Sequence, residues 1–185
     1  MSDLLPRDLA GSAYFLETQA AVERRATFAV IVDNEPGVLH RVVGLFSARG
    51  YNIESLTVAE TDHAAHTSRI TIVTRGAERV VAQIYAQLQK IIQVRSVTEV
   101  GGDPNSVERE LALVKVAGIG PDRVEALRIS EIFRARVIDT GSESFVFELT
   151  GTPDKIDKFE ALMRPLGLVE VSRTGVLSIT RGGKT

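Results

Sequence analysis

Cysteine and tryptophan are both missing from this 185-residue chain. The lack of cysteine excludes disulfides, thiol nucleophiles and thiolate metal sites, and it fits a reducing compartment. Aromatic residues are scarce, at 5%. Neither sign of charge dominates, with Lys+Arg at 22 against Asp+Glu at 24. That balance gives no general attraction to nucleic acid or to an anionic membrane surface. No apolar run approaches the ~20 residues of a membrane-spanning helix. The first 25 residues have no basic start leading into an apolar core, so they do not read as a secretory signal, and the expected compartment is the cytoplasm.

The hydrophobic content, 44%, is that of a globular protein. The most informative local feature is Asp33–Leu39 (DNEPGVL), where the apolar run Thr27–Val32 gives way to an amphipathic segment. Pro36 suits the first turn of a helix, because its missing N–H has no intrahelical partner there. Gly37 permits close approach to the backbone. Unpaired N–H groups at a helix start can hold a carboxylate, with Val38 and Leu39 expected to supply them. Asn34 has two readings of equal weight from spacing alone: a helix cap, or a ligand contact.

From residue 26 the pattern runs strand, helix, strand, strand, helix, strand. Strand 27–33 precedes helix 36–49, with Val38, Leu39, Val42, Val43 and Phe46 at helical spacing. Gly50 is expected as its C-terminal cap. Strands 52–60 and 67–74 form a hairpin through 61–66, helix 77–90 turns Val80, Val81, Ile84 and Leu88 inward, and 91–100 is a further strand. The order then repeats, with strand 110–116, helix 121–133, strands 136–140 and 144–150, helix 153–163 and terminal strand text over 169–180. Gly101–Asn105 has linker composition. The fold class is therefore α+β, with two tandem ferredoxin-like βαββαβ domains. The expected division is an extension over 1–25, with a short helix over 9–23, a first domain over 26–101, a linker over 102–108 and a second domain over 109–185.

A unit of about 75 residues buries a modest core, and its helix-free sheet face needs a cover. Ser55, Thr57 and Ala59 share one face of their strand and are small enough to pack on another sheet. Homodimerisation is the expectation drawn from that face. His63 and His66 lie in the expected hairpin loop without further ligands, so no metal site is expected. His40 reads as a solvated helix residue. Ala117–Pro121 (AGIGP) lacks the spacing of a phosphate loop and reads as a turn. Glu108-Arg109-Glu110 is either a partner surface or a solvated strand start, and spacing favours the latter. Arg134, Arg136, Arg164 and Arg173 are scattered, without interleaved aromatics. No acid/base pair, nucleophile or metal cluster is evident, so no residue is assigned a catalytic role.

The run DNEPGVLHRVVGLFSARGYNIESLTVAETD, with SRITIV and VVAQIYAQLQKIIQV after it, resembles the small regulatory subunit of acetolactate synthase (acetohydroxyacid synthase). Its first half is similar to an ACT domain. The strings VERELALVKV, EIFRARVID and VEVSRTGVLSITRG resemble the same family's second domain, so the likeness spans about residues 26–182. It implies a non-catalytic subunit that activates a catalytic large subunit and confers feedback inhibition by branched-chain amino acids, usually valine. The large subunit, not this one, would carry thiamine diphosphate, Mg²⁺ and FAD. The resemblance further implies a homodimer through ACT domains with the effector between subunits. By motif, the effector contacts would be Asn34, Gly37, Val38 and Leu39 from one loop and Asn52 and Ile53 from the segment facing them. Thr57, Ala59 and Gln83 match positions linked to the valine response. The extension, His40 and the loop ETDHAAHTS depart from the family pattern. The alternative is a stand-alone amino-acid-responsive ACT module acting on a different enzyme or transporter.

Overall fold

The structure is a computed structural model that describes residues 22–102 and 105–182. The helix expected over 9–23 therefore lies outside the described residues, except that Glu23 opens the first strand. In chain order the elements are β1 (Glu23–Asp33), α1 (Val38–Arg49), β2 (Ser55–Asp62), β3 (Thr67–Ala77), α2 (Glu78–Leu88) and β4 (Val94–Glu99). They continue as β5 (Ser106–Ala117), α3 (Gly120–Phe133), β6 (Arg136–Thr140), β7 (Ser144–Gly151), α4 (Pro153–Met163), β8 (Leu168–Arg173) and β9 (Leu177–Thr180). A short 3-10 turn over Arg164–Leu166 links α4 to β8.

The first sheet has the order β2-β3-β1-β4 and the second β6-β7-β5-β8. The pairings are antiparallel throughout. Two equivalent βαββαβ units result, each an α+β ferredoxin-like arrangement. In the first, the alternate residues Phe28, Val30 and Val32 of β1 and Ile70 and Ile72 of β3 meet Val42 and Phe46 of α1 and Val81, Ile84 and Leu88 of α2. The second core is built the same way, from Ala112, Val114 and Val116, Phe145, Phe147 and Leu149, and Ile156, Phe159 and Met163. Period-two strands facing period-3.6 helices leave no other layering that buries both apolar faces.

Several boundaries differ from the sequence expectation for local physical reasons. Helix α1 starts at Val38, after Pro36 and Gly37, and its apolar stripe is narrower: Val38, Val42 and Phe46 are buried, whereas Leu39 is 39% exposed. Of the adjacent Ile91 and Ile92 only the first packs on the core. Ile92 is 88% exposed in a turn that delays β4 to Val94. Strand β1 takes in Glu23–Arg25, held at its start by Arg24, which bonds Glu78 and Glu99. Those bonds raise the Arg24 pKa and hold the Glu78 carboxyl below its usual value.

The terminal strand text resolves into two strands separated by a turn at Thr174–Val176. Strand β8 completes the second sheet, while β9 leaves it and pairs with Ser106–Arg109, the first residues of β5. This two-stranded ribbon lies on the helix-free face of the first sheet, away from α1 and α2. Glu108 accepts from Thr27 Oγ1 at 2.7 Å and from Arg25 Nη1 at 2.9 Å. Arg69 Nη2 donates to the Ser178 carbonyl at 2.7 Å. Val176 N–H donates to Ser55 Oγ at 3.0 Å, and Thr57 Oγ1 donates to the Val176 carbonyl at 3.1 Å. Thr27, Ala29, Thr71 and Val73, on that face, are all buried. Ser55 and Thr57 are thus occupied by the turn of the same chain that precedes β9, while Ala59 on that face stays exposed, so these small residues do not call for a second sheet.

The aromatic cluster of the second core gives a direct stability test. Phe147 is fully buried, with ring centroids 6.0 Å from Phe159 and 5.7 Å from Phe145. Phe147→Ala is expected to cost about 3–5 kcal/mol of unfolding free energy, measured by urea denaturation.

Candidate functional site

The β1–α1 junction is built by three backbone bonds. Asn34 N–H donates to the His66 carbonyl at 2.7 Å, Glu35 N–H to the Asp33 carbonyl at 2.9 Å, and Val38 N–H to the Glu35 carbonyl at 3.3 Å. Asp33 also accepts from Arg95 Nε at 2.5 Å, which ties the junction to β4. Gly37 is the N-cap residue, with φ 88° and ψ −7°, and no side chain caps the helix. The capping reading of Asn34 is therefore removed, since its side chain makes no hydrogen bond among the described residues. The N–H groups of Gly37, Leu39 and His40 also have no acceptor among them. Val38, expected to offer its N–H, spends it on Glu35. The result is an uncapped helix start, carrying partial positive charge, beside an uncommitted amide side chain.

Asn52 and Ile53 lie at the other end of α1. Helix α1 has 12 residues, and at 1.5 Å per residue it is about 18 Å long. Gly50 closes it, with Tyr51 N–H bonded to the Phe46 carbonyl at 2.9 Å. The Asn52 carbonyl accepts from Thr74 Oγ1 at 2.6 Å, near the start of β2, whereas the β2–β3 hairpin that touches Asn34 is at its far end. One chain therefore does not bring Asn34, Gly37, Val38 and Leu39 together with Asn52 and Ile53.

The remaining candidates also separate. Thr57 is bonded to Val176 under the ribbon, and Ala59 follows on the same face of β2. Gln83 is exposed on α2, on the opposite side of the sheet. Glu108 and Glu110 are paired within the chain and so are not a solvated strand start, whereas Arg109 between them is exposed. Glu108 holds the ribbon to β1, and Glu110, 4% exposed, accepts two bonds from Arg173 at 2.9 and 2.6 Å. Arg173 also reaches Asp157 and Glu160, and its pKa is raised chiefly by the bond to Glu110. These in-chain pairings were not visible in spacing because each joins residues far apart in sequence. Burial lowers the pKa of Arg69.

Other features fall into ordinary roles. The Ala117 and Gly118 N–H groups bond the carbonyls of Gly167 and Glu143, so these two donors are taken up within the chain. His63 Nδ1 sits 2.9 Å from Glu60 on an exposed loop. Among the described residues, no group of three or more His, Asp or Glu side chains is placed to hold a metal. No helix among them is long and apolar enough to cross a membrane.

Residues 28–96 match the AHAS small subunit-like ACT domain, and residues 109–182 match the family described as the small subunit of acetolactate synthase. A probable acetolactate synthase small subunit from Archaeoglobus fulgidus is 47% identical over 158 residues, covering 85% of this chain and 98% of the relative. The chain belongs to the acetolactate synthase small-subunit family. The isozyme 3 small subunit of Salmonella typhimurium is 48% identical over 86% of this chain and 98% of its own length. Among solved structures, the acetolactate synthase small subunit from Thermotoga maritima aligns with a TM-score of 0.77 and 36% identity. That alignment covers 87% of this chain and 99% of the other. The first unit is thus an ACT-like domain, and both units have their counterparts within one family.

The backbone at Gly37 predicts its own sensitivity. A Cβ there would meet nothing within 4 Å, so the cost of a side chain comes from the left-handed conformation alone. Gly37→Ala is expected to lose about 1–2 kcal/mol in denaturant unfolding, and Gly37→Asn less, because Asn tolerates that region.

Proposed function

We propose that this chain is the regulatory subunit of an acetolactate synthase. It activates the catalytic large subunit and makes it sensitive to feedback by branched-chain amino acids, valine first. The observation that carries this reading is the near full-length relationship to acetolactate synthase small subunits. The subunit does no chemistry itself. Thiamine diphosphate, Mg²⁺ and FAD belong to the large subunit, in the pathway to branched-chain amino acids. The division at 26–101 and 109–185 assigns effector binding to the first domain, with the second passing the response on.

The effector site lies between two copies of the ACT unit. Its carboxylate is held by the Gly37, Leu39 and His40 N–H groups with Asn34, and the exposed Leu39 side chain supplies apolar contact, while that of Val38 stays in the core. Asn52 and Ile53 come from the second copy. Two observations support this assignment: the uncapped helix start, and the separation of the two residue groups by the length of α1 within one chain. Inhibition then follows from linkage, because an effector shifts the holoenzyme only as far as it binds one arrangement better than the other.

Reconstitution with the large subunit and titration with valine, leucine and isoleucine tests the reading. Gly37→Asp places a carboxylate where the effector's own would sit. Inhibition is expected to disappear while activation persists, and an unchanged inhibition curve would reject the site. Mixed dimers of Gly37→Asp and Asn52→Ala chains provide a second check. A site shared between chains leaves one of two sites intact in the mixed dimer, so calorimetry should find half the effector stoichiometry. A site within each chain leaves none.

A further inference from the structure

The Ser55–Thr57–Val176 contact differs from the other bonds under the ribbon. Both backbone groups of Val176 are satisfied by side chains of β2: its N–H by Ser55 Oγ at 3.0 Å and its carbonyl by Thr57 Oγ1 at 3.1 Å. Two alternate side chains of one strand thus replace the ladder partner that Val176, between β8 and β9, would otherwise have. The fit is close. Gly175 has φ +83°, and a Cβ on it would lie 2.6 Å from Ser55 Oγ and 3.1 Å from Thr57 Oγ1. Val176 itself is 3% exposed.

The position of β2 gives this contact mechanical meaning. Strand β2 is the edge of its sheet, bonded to β3 on one side only, and it follows Asn52 and Ile53 directly. By contrast, Glu108 holds the ribbon to β1, an inner strand with neighbours on both sides. Beside the β2 contact is a cleft of about 510 Å³ between the two units. Its walls include Glu54 and Arg75 on one side and Pro153, Asp154 and Asp157 of α4 on the other. Arg173, three residues before Val176, bonds Glu110, Asp157 and Glu160, so the same turn is tied to α4.

We infer that the Gly175–Val176 turn is the coupling element between the units: displacement of β2 by an effector at Asn52–Ile53 is passed through Ser55 and Thr57 to Val176, and through Arg173 to α4. The inference rests on the proposed effector site and specifies how that site reaches the second unit. Thr57 is then a positioning residue that passes the displacement of β2 on to Val176 and does not touch the effector. The open cleft gives the units room for relative motion, while Glu108 at β1 serves as the fixed point.

The test uses the full chain, reconstituted with its large subunit, with Ser55→Ala and Gly175→Ala. Ser55→Ala removes the acceptor of the Val176 N–H without adding bulk, and Gly175→Ala forces the turn away from β2. For Ser55→Ala, activation without effector should match wild type, and effector affinity by calorimetry should stay within about twofold. Coupling should weaken about fivefold or more, the scale of a typical allosteric linkage, so inhibition at saturating effector falls well short of wild type. Amide exchange at Val176 should accelerate in the same variant. Gly175→Ala should show the same split between binding and inhibition. Wild-type inhibition in Ser55→Ala, or affinity and inhibition lost in parallel, would overturn the coupling role. A wild-type chain that binds none of the three amino acids instead rejects the effector reading itself, and that titration precedes any variant.

Discussion

A sheet with both helices on one side leaves its other face with half-apolar side chains to bury. In the first unit those side chains are Thr27 and Ala29 on β1 and Thr71 and Val73 on β3, all buried. What buries them is the ribbon made from the first residues of β5 and the whole of β9. The constraint is thermodynamic, since a two-stranded ribbon is not stable alone and an uncovered sheet face is costly. Each supplies what the other lacks. Polar anchoring sets the placement: Glu108 on Thr27 and Arg25, Ser178 on Arg69, and Val176 on Ser55 and Thr57. The half-buried carboxylate of Glu108 is tolerated because a guanidinium and a hydroxyl both meet it.

The same constraint decides which surfaces of the ACT unit remain for other purposes. With the helix-free face occupied, the surfaces left open among the described residues include the edges of β2 and β4, the outer sides of the helices and the two ends of α1. The α1 start combines Asn34 with N–H donors that have no acceptor among the described residues, and the α1 end presents Asn52 beside the β2 edge. These two groups cannot meet in one chain. The proposed effector site therefore needs a second copy of the unit to bring one start against another's end.

Much of this was legible in the residues. Alternation in Arg69–Ile72 set the inward face of β3, the apolar run Thr27–Val32 marked a buried strand without showing which face turns to the helices, and the helical spacing of Val38, Leu39, Val42, Val43 and Phe46 set a stripe on α1 from which Leu39 falls out. Gly37 marked a backbone position that does adopt a positive φ. The structure added what separation along the chain conceals. Nothing local to Leu177–Thr180 distinguishes a strand that finishes its own sheet from one that crosses to another unit. Glu108 and Glu110 looked like solvated charges because Arg25 and Arg173 lie 83 and 63 residues away. Asn52 stands 15 positions after Gly37, yet the helix between them places the two far apart. Strand β4 starts late because two adjacent isoleucines cannot both face one core.

Thr57 and Val176 are 119 residues apart, and that distance has a bearing on biosynthesis. A ribosome delivers the ACT unit long before the strand that covers its sheet. Until residues 174–180 emerge, the ribbon over Thr27, Ala29, Thr71 and Val73 lacks its second strand. The last covering step waits until residues 174–180 have been made, and long-range closure of this kind is slow compared with helix formation. The nascent first unit is thus the species most exposed to adventitious association, and the terminal strand ends that exposure.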